Sequence, residues 1–141
     1  MRHKKVVSAA SAMVDILAPV EDAFLSNYGF VKGARLVSKR PILQGLMTKL
    51  QGQYQIVPGG SACNTIIGLA NLGMETAFAG KCGKDHLGAL LTQSLNQNGV
   101  STYMATANQP TGTCLSLITP DSERTMLVDL AAANTLTAED I

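Results

Sequence analysis

Apolar positions along this chain follow two rhythms, one of period two and one close to 3.6 residues. Lys4 to Ala10 and Val14 to Ala18 are β-branched and apolar runs, bounded by charge and by Pro19, and both predict extended strands. Glu21 to Tyr28 predicts a short helix closed by Gly29. "GFVKGARLVSK" predicts a strand or hairpin interrupted by Gly33. Pro41 to Gln51 returns to helical spacing through Ile42, Leu46 and Leu50, and Tyr54 to Val57 reads as a short strand. In "PGGSACNTIIGLANLG", Pro58 to Gly73, two glycines and a serine precede an apolar run at helical spacing that ends at Gly73. "ETAFAGKCG" predicts a buried strand. Asp85 to Gln97 predicts a helix with Leu87, Leu90, Leu91 and Leu95 on one side and Gly99 after it.

Strand, helix, strand, helix is the order of parallel βαβ units. The last third differs: "TGTCLSLITP", the turn "DSE" and "RTMLVDL" predict a β-hairpin, and open edges on that hairpin would leave it poorly ordered or paired between molecules. The final residues "LTAEDI" hold a capping-type helix start at Thr137 with no helix after it, which reads as a truncation.

Composition narrows the function classes. Of 141 residues, 46% are hydrophobic and 15% charged, the balance of an ordinary globular domain and not of a disordered chain. A net charge of +1 supplies no field to recruit nucleic acid or an acidic membrane, so a small-molecule partner is expected. The basic cluster Arg2, Lys4 and Lys5 precedes an apolar stretch broken by Ser8 and Ser11 and stopped by Asp15, which fits a buried first strand better than a signal peptide. Cys63, Cys82 and Cys114 lie far apart with only His3 and His86 as co-ligands, so reduced thiols, a cytoplasmic protein and no zinc are expected.

Gly59 and Gly60 stand where a helix amino terminus would expose N–H groups and partial positive charge, suited to a hydroxyl or an anion, or else they form a plain strand-to-helix turn. Two phosphate motifs fail: nothing fits GxGxxG, and "GMETAFAGKC" has the wrong spacing for a Walker A loop. Asn64, in the first turn of that helix, can bond local backbone or reach a ligand. Asp15 interrupts an apolar strand, where a carboxylate costs several kcal/mol unless bonded or solvated. The carboxyl ends of parallel strands are where open α/β sheets place their ligands.

The segments "MVDIL", "PGGSACNTIIGLANLG", "AFAGKCGKDHLG", "PTGTCLSLITPDSERTM" and "LAAANTL" together resemble, in order and spacing, the PfkB (ribokinase-like) carbohydrate and nucleoside kinases, nearest their adenosine-kinase-like branch. The resemblance implies an α/β, Rossmann-like ribokinase fold with a small β-sheet lid, formed by segments around 14–37, 54–57 and 111–130, and phosphorylation of a primary hydroxyl with ATP and Mg2+. By resemblance, Asp15 binds sugar hydroxyls, Gly59 and Gly60 pack against the sugar and Asn64 bonds it. Arg124 resembles a lid arginine that approaches the transferring phosphate. Ser11 stands where many adenosine kinases have Asn, which puts strict adenosine specificity in doubt. The family's catalytic GAGD motif occurs nowhere in these residues, so the chain is expected to supply the acceptor side only and to be inactive alone. The hairpin from Thr113 to Leu130 would close as a lid or form a homodimer contact.

Other residues carry weaker signals. Lys81 reads as a structural or rim charge, Asp85 as a helix cap, Cys63 and Cys114 as core thiols, and His86 as a surface helix residue. Tyr28 and Phe30 would pack within the lid or over a nucleobase. The rival reading is a sugar- or nucleoside-binding module without catalysis, or an inert fragment.

Overall fold

A computed structural model describes residues 4–141; Arg2 and His3 lie outside the described residues. Eight strands and four helices succeed one another as β1 (Val6–Ala9), β2 (Met13–Pro19), α1 (Asp22–Asn27), β3 (Arg35–Val37), α2 (Arg40–Leu50), β4 (Gln55–Gly59), α3 (Ser61–Asn71), β5 (Thr76–Gly83), α4 (His86–Gln97), β6 (Val100–Ala107), β7 (Gly112–Ile118) and β8 (Arg124–Asp129). Short 3-10 turns follow at Ala131–Thr135 and Ala138–Asp140.

The chain divides into two compact units. The first comprises the residues up to Val14, Pro58–Gly112 and Leu130–Ile141. Its sheet has the order β1-β5-β6, and both pairings are parallel. β5 is the middle strand and is buried along nearly its whole length, which accounts for the largely apolar run of its sequence around Lys81. The crossovers between neighbouring strands are made by α3 and α4, each of which turns a buried stripe inward: Cys63 and Ile66 on α3, Gly88, Leu91 and Leu95 on α4. Sequence reading missed β6. As an edge strand it leaves Ser101, Tyr103 and Thr106 exposed, and these dilute its apolar signal.

The second unit comprises Asp15–Val57 and Thr113–Asp129, so it takes in α2. Its five-stranded sheet has the order β3-β8-β7-β2-β4; β7 and β8 form the expected antiparallel hairpin, while β3 joins β8 in parallel. The stretch around Gly33 therefore makes one three-residue strand and no hairpin of its own. Both flanks of the β7–β8 hairpin are paired, against β2 and β3, so the open edges expected there belong instead to β3 and β4. Helical spacing on α2 points Leu43, Leu46 and Leu50 to one side, where they join Leu25, Ile16, Ala18, Leu115, Leu117 and Leu127 in a single apolar core. One face of the sheet carries this core, and strand alternation places Asp15, Cys114 and Met126 on the other.

Candidate functional site

β4 ends at Gly59, and in the first unit Gly60 alone turns the chain into α3. Gly60 has φ +88°, a left-handed conformation that side-chain-bearing residues rarely adopt, whereas a Cβ there would meet only the Ser11 carbonyl oxygen at an ordinary 3.5 Å. Backbone conformation, not crowding, selects glycine here. The Asn64 N–H donates to the Gly60 carbonyl at 3.0 Å and closes the first turn. No side chain caps this helix start. The Asn64 side chain is exposed and its amide has no hydrogen-bond partner among the described residues, so the local backbone bond open to such an asparagine is not made. Ser11, Gly60 and Asn64 thus gather at one end of α3, with Gly59 buried behind them.

In the second unit, Asp15 lies on β2 with Ile16 and Ala18 of the same strand turned into the core. Its half-buried carboxylate has no hydrogen-bond or ion-pair partner among the described residues. Burial pushes its pKa up, and the charge of Arg124 at the start of β8 partly opposes that. Cys114 shares the face: burial raises its thiol pKa, the hydrogen bond with Ser116 opposes, the Asp15 carboxylate adds to the rise, and Arg35 draws it down. The alternation in "TGTCLSLI", with Leu115 and Leu117 inward, is the signal that puts Cys114 on the side of Asp15. The reading of Cys114 as a core thiol holds for its burial and omits these charged neighbours.

A carboxylate whose pKa is raised by folding stabilises the fold fully below its ordinary value of 3.8 and loses that contribution as pH rises through the folded value. At neutral pH an ionised Asp15 is therefore a burden on the unliganded chain. Asp15→Asn is expected to raise the thermal midpoint at pH 7, with the gain shrinking as pH falls through the folded pKa. Melting curves from pH 4 to 8 check this, and an unchanged midpoint at pH 7 would sink the argument.

The other candidates have structural roles. Lys81 on β5 donates to Asp140 Oδ2 at 2.8 Å and Oδ1 at 3.0 Å and to the Thr135 carbonyl at 3.2 Å. This bond holds the Asp140 carboxyl below the usual range, and the same carboxylate closes the capping box expected at Thr137 over one 3-10 turn. Asp85 caps α4, accepting from the Gly88 N–H at 2.9 Å, and His86 is exposed. Tyr28 sits 4.8 Å from Phe24 and 6.5 Å from Phe30, ring centre to ring centre, and Phe24 and Phe30 pack on the core. The three cysteines are buried and no disulfide joins them. A cleft of about 920 Å³ follows α4 and β6 past Asp85, Thr92 and Met104 and is lined by none of the sequence-predicted site residues. Among the described residues no cluster of three His, Cys, Asp or Glu could hold a metal ion, and no helix is long and apolar enough to cross a membrane.

Comparison with known proteins places this arrangement. Residues 34–141 match the profile of the pfkB family carbohydrate kinases. The chain is similar to adenosine kinase from Dictyostelium discoideum, 29% identical over 95% of this chain and 40% of that protein. It is also similar to ribokinase from Bacillus subtilis, 30% identical over 64% of this chain and 31% of that protein. The crystal structure of adenosine kinase from Sinorhizobium meliloti superposes with a TM-score of 0.88 at 33% identity, over 99% of this chain and 43% of that one. The chain spans about two fifths of the length of the adenosine kinases it matches. The parallel sheet with its crossover helices and the mixed second sheet are those of the ribokinase-like fold, and the chain belongs to the pfkB family of carbohydrate kinases.

Proposed function

We propose that this chain carries the acceptor-binding part of an ATP-dependent phosphotransferase acting on the primary hydroxyl of a nucleoside or sugar. The observation that carries the reading is Asp15, a half-buried carboxylate with no hydrogen-bond or ion-pair partner among the described residues, on the sheet face opposite the apolar core, in a chain of this family. A desolvated anion left without protein donors is suited to accept hydrogen bonds from ligand hydroxyls, and charged bonds of this kind contribute roughly 1.5–3 kcal/mol each. Asn64 and the uncapped start of α3 offer donors and an amide oxygen to the same class of ligand. Ser11, beside Gly60, would tune which acceptor is taken.

Phosphoryl transfer itself is mostly positioning and charge neutralisation. Gripping the ring hydroxyls would leave the primary hydroxyl oriented for attack, and the second unit, acting as a lid, would exclude water from it. ATP and Mg2+ follow from the family. No described cluster fits the metal, and only the exposed Arg124 is proposed to meet a phosphate oxygen. A thermal-shift screen of the longest reading frame that carries this sequence, over nucleosides and sugars, followed by a transfer assay with each stabilising compound, tests the reading. Stabilisation with phosphorylated product supports it. Stabilisation without any transfer would leave a binding module.

A further inference from the structure

The carboxylate of Asp85 holds more than the end of α4. Besides the Gly88 N–H, it accepts from the Thr111 N–H at 2.8 Å and the Thr111 hydroxyl at 2.6 Å. That hydroxyl in turn accepts from the Gly83 N–H at 3.0 Å, and Thr111 is fully buried. We propose that Asp85 is a positioning residue for acceptor binding: through Thr111 and Gly112 it fixes the stretch of main chain that leads to Asp15. The proposal rests on the acceptor role of Asp15 given above.

Gly112, next to Thr111, is itself closely packed against main chain. A Cβ there would lie 2.9 Å from the Leu130 carbonyl oxygen, 3.1 Å from Met13 Cγ and 3.2 Å from the Ala12 carbonyl oxygen. Gly112, Ala12, Met13 and Leu130 all belong to the first unit, which the chain leaves after Val14 and after Gly112 and re-enters at Leu130. The same loop is tied from the other side by the Ala132 N–H, which donates to the Pro110 carbonyl at 3.0 Å. Packing against Gly112 fixes Ala12 and Met13, and Asp15 follows Met13 by two residues in the stiff strand β2. A shift on the order of 1 Å at that carboxylate is enough to lower acceptor affinity and productive orientation. Both carboxylate oxygens of Asp85 are engaged by Thr111.

Three variants separate this role from ordinary helix capping. Thr111→Val removes the hydroxyl and leaves the Asp85 cap on Gly88 in place; Thr111→Ser keeps the hydroxyl. Asp85→Asn keeps an acceptor for the cap and turns an N–H2 donor toward a second donor at Thr111. Amide exchange of each labelled chain is read residue by residue. Exchange at Met13–Ile16 and Leu130–Ala133 is expected to quicken about tenfold in Thr111→Val and Asp85→Asn, with β1 and α3 unchanged and Thr111→Ser close to the parent chain. In the longest reading frame, acceptor dissociation constants from a panel of adenosine, guanosine, ribose and fructose should rise about tenfold in the same two variants, with ATP affinity unchanged. Unchanged exchange, or quickening of all elements alike, overturns the proposal. If the exchange pattern appears but Asp15→Ala leaves every panel affinity intact, the anchor stands and the acceptor role of Asp15 fails. If Asp15→Ala weakens the acceptor and the exchange pattern is absent, the anchor fails and the acceptor role stands.

Discussion

Phosphate transfer by the 141-residue chain is expected to be undetectable with any nucleoside or sugar, even at acceptor concentrations that saturate binding. Transfer needs an oriented nucleophile, a base to take its proton and compensation of charge on the phosphoryl oxygens. In the pfkB family the base and the anion-binding glycines are expected in the GAGD motif, which these residues lack. What the chain does contain is a carboxylate without a hydrogen-bond or ion-pair partner among the described residues, an exposed asparagine amide and an uncapped helix start, which are proposed to serve acceptor binding and not transfer. A coupled assay for ADP formation, with acceptor-free controls, checks this. Turnover of ATP by the purified chain that depends on an acceptor would show that the division between an acceptor part and a catalytic part is drawn in the wrong place.

Asp15→Ala and Gly60→Val carry the second large effect. In the longest reading frame that holds this sequence, Asp15→Ala is expected to weaken acceptor binding about tenfold to a hundredfold or more, which corresponds to the loss of one or two charged hydrogen bonds of roughly 1.5–3 kcal/mol. The affinity for ATP should stay nearly constant, because removal of a ground-state contact to one substrate leaves contacts to the other in place. Gly60→Val is expected to act through the start of α3. A β-branched side chain is strained at φ +88°, so the start of α3 must rearrange and the alignment of Asn64 with it is lost. Gly60→Ala is the milder companion variant, since a Cβ in the present conformation meets nothing closer than 3.5 Å and the cost is conformational alone. The order Val worse than Ala worse than Gly for acceptor affinity, with ATP affinity flat, is the expected series.

Most of the fold could be read from the chain because helix stripes and buried strands repeat with unlike periods. The α2 helix was visible through Ile42, Leu46 and Leu50, of which Leu46 and Leu50 are buried together with Leu43 while Ile42 is exposed, and β5 was visible as a largely apolar run around Lys81. β6 could not be separated in the same way, because an edge strand shows half of its residues to solvent. Parallel pairing of β3 with β8 was equally hidden: a three-residue strand, all of it exposed, carries no apolar pattern to announce a partner 91 positions away, as between Arg35 and Met126. For the site, Asp15 announced itself by breaking an apolar strand, whereas the choice between Gly59 and Gly60 as the turn residue depended on a backbone angle that composition does not encode. Asp85 was legible as a cap from its position before a helix. Its two bonds to Thr111 join residues 26 positions apart, and only the folded chain brings them together.

The central claim, that this chain grips the phosphate acceptor through Asp15 and not the nucleotide, is tested most directly by paired calorimetric titrations. The longest reading frame and its Asp15→Ala variant are each titrated with the tightest-binding nucleoside or sugar from the screen and, separately, with MgATP. The predicted result is an acceptor dissociation constant raised about tenfold to a hundredfold in the variant, with the MgATP constant within twofold of the parent. Unchanged acceptor affinity together with lost MgATP binding would contradict the claim and would make the glycine-led start of α3 a phosphate cradle.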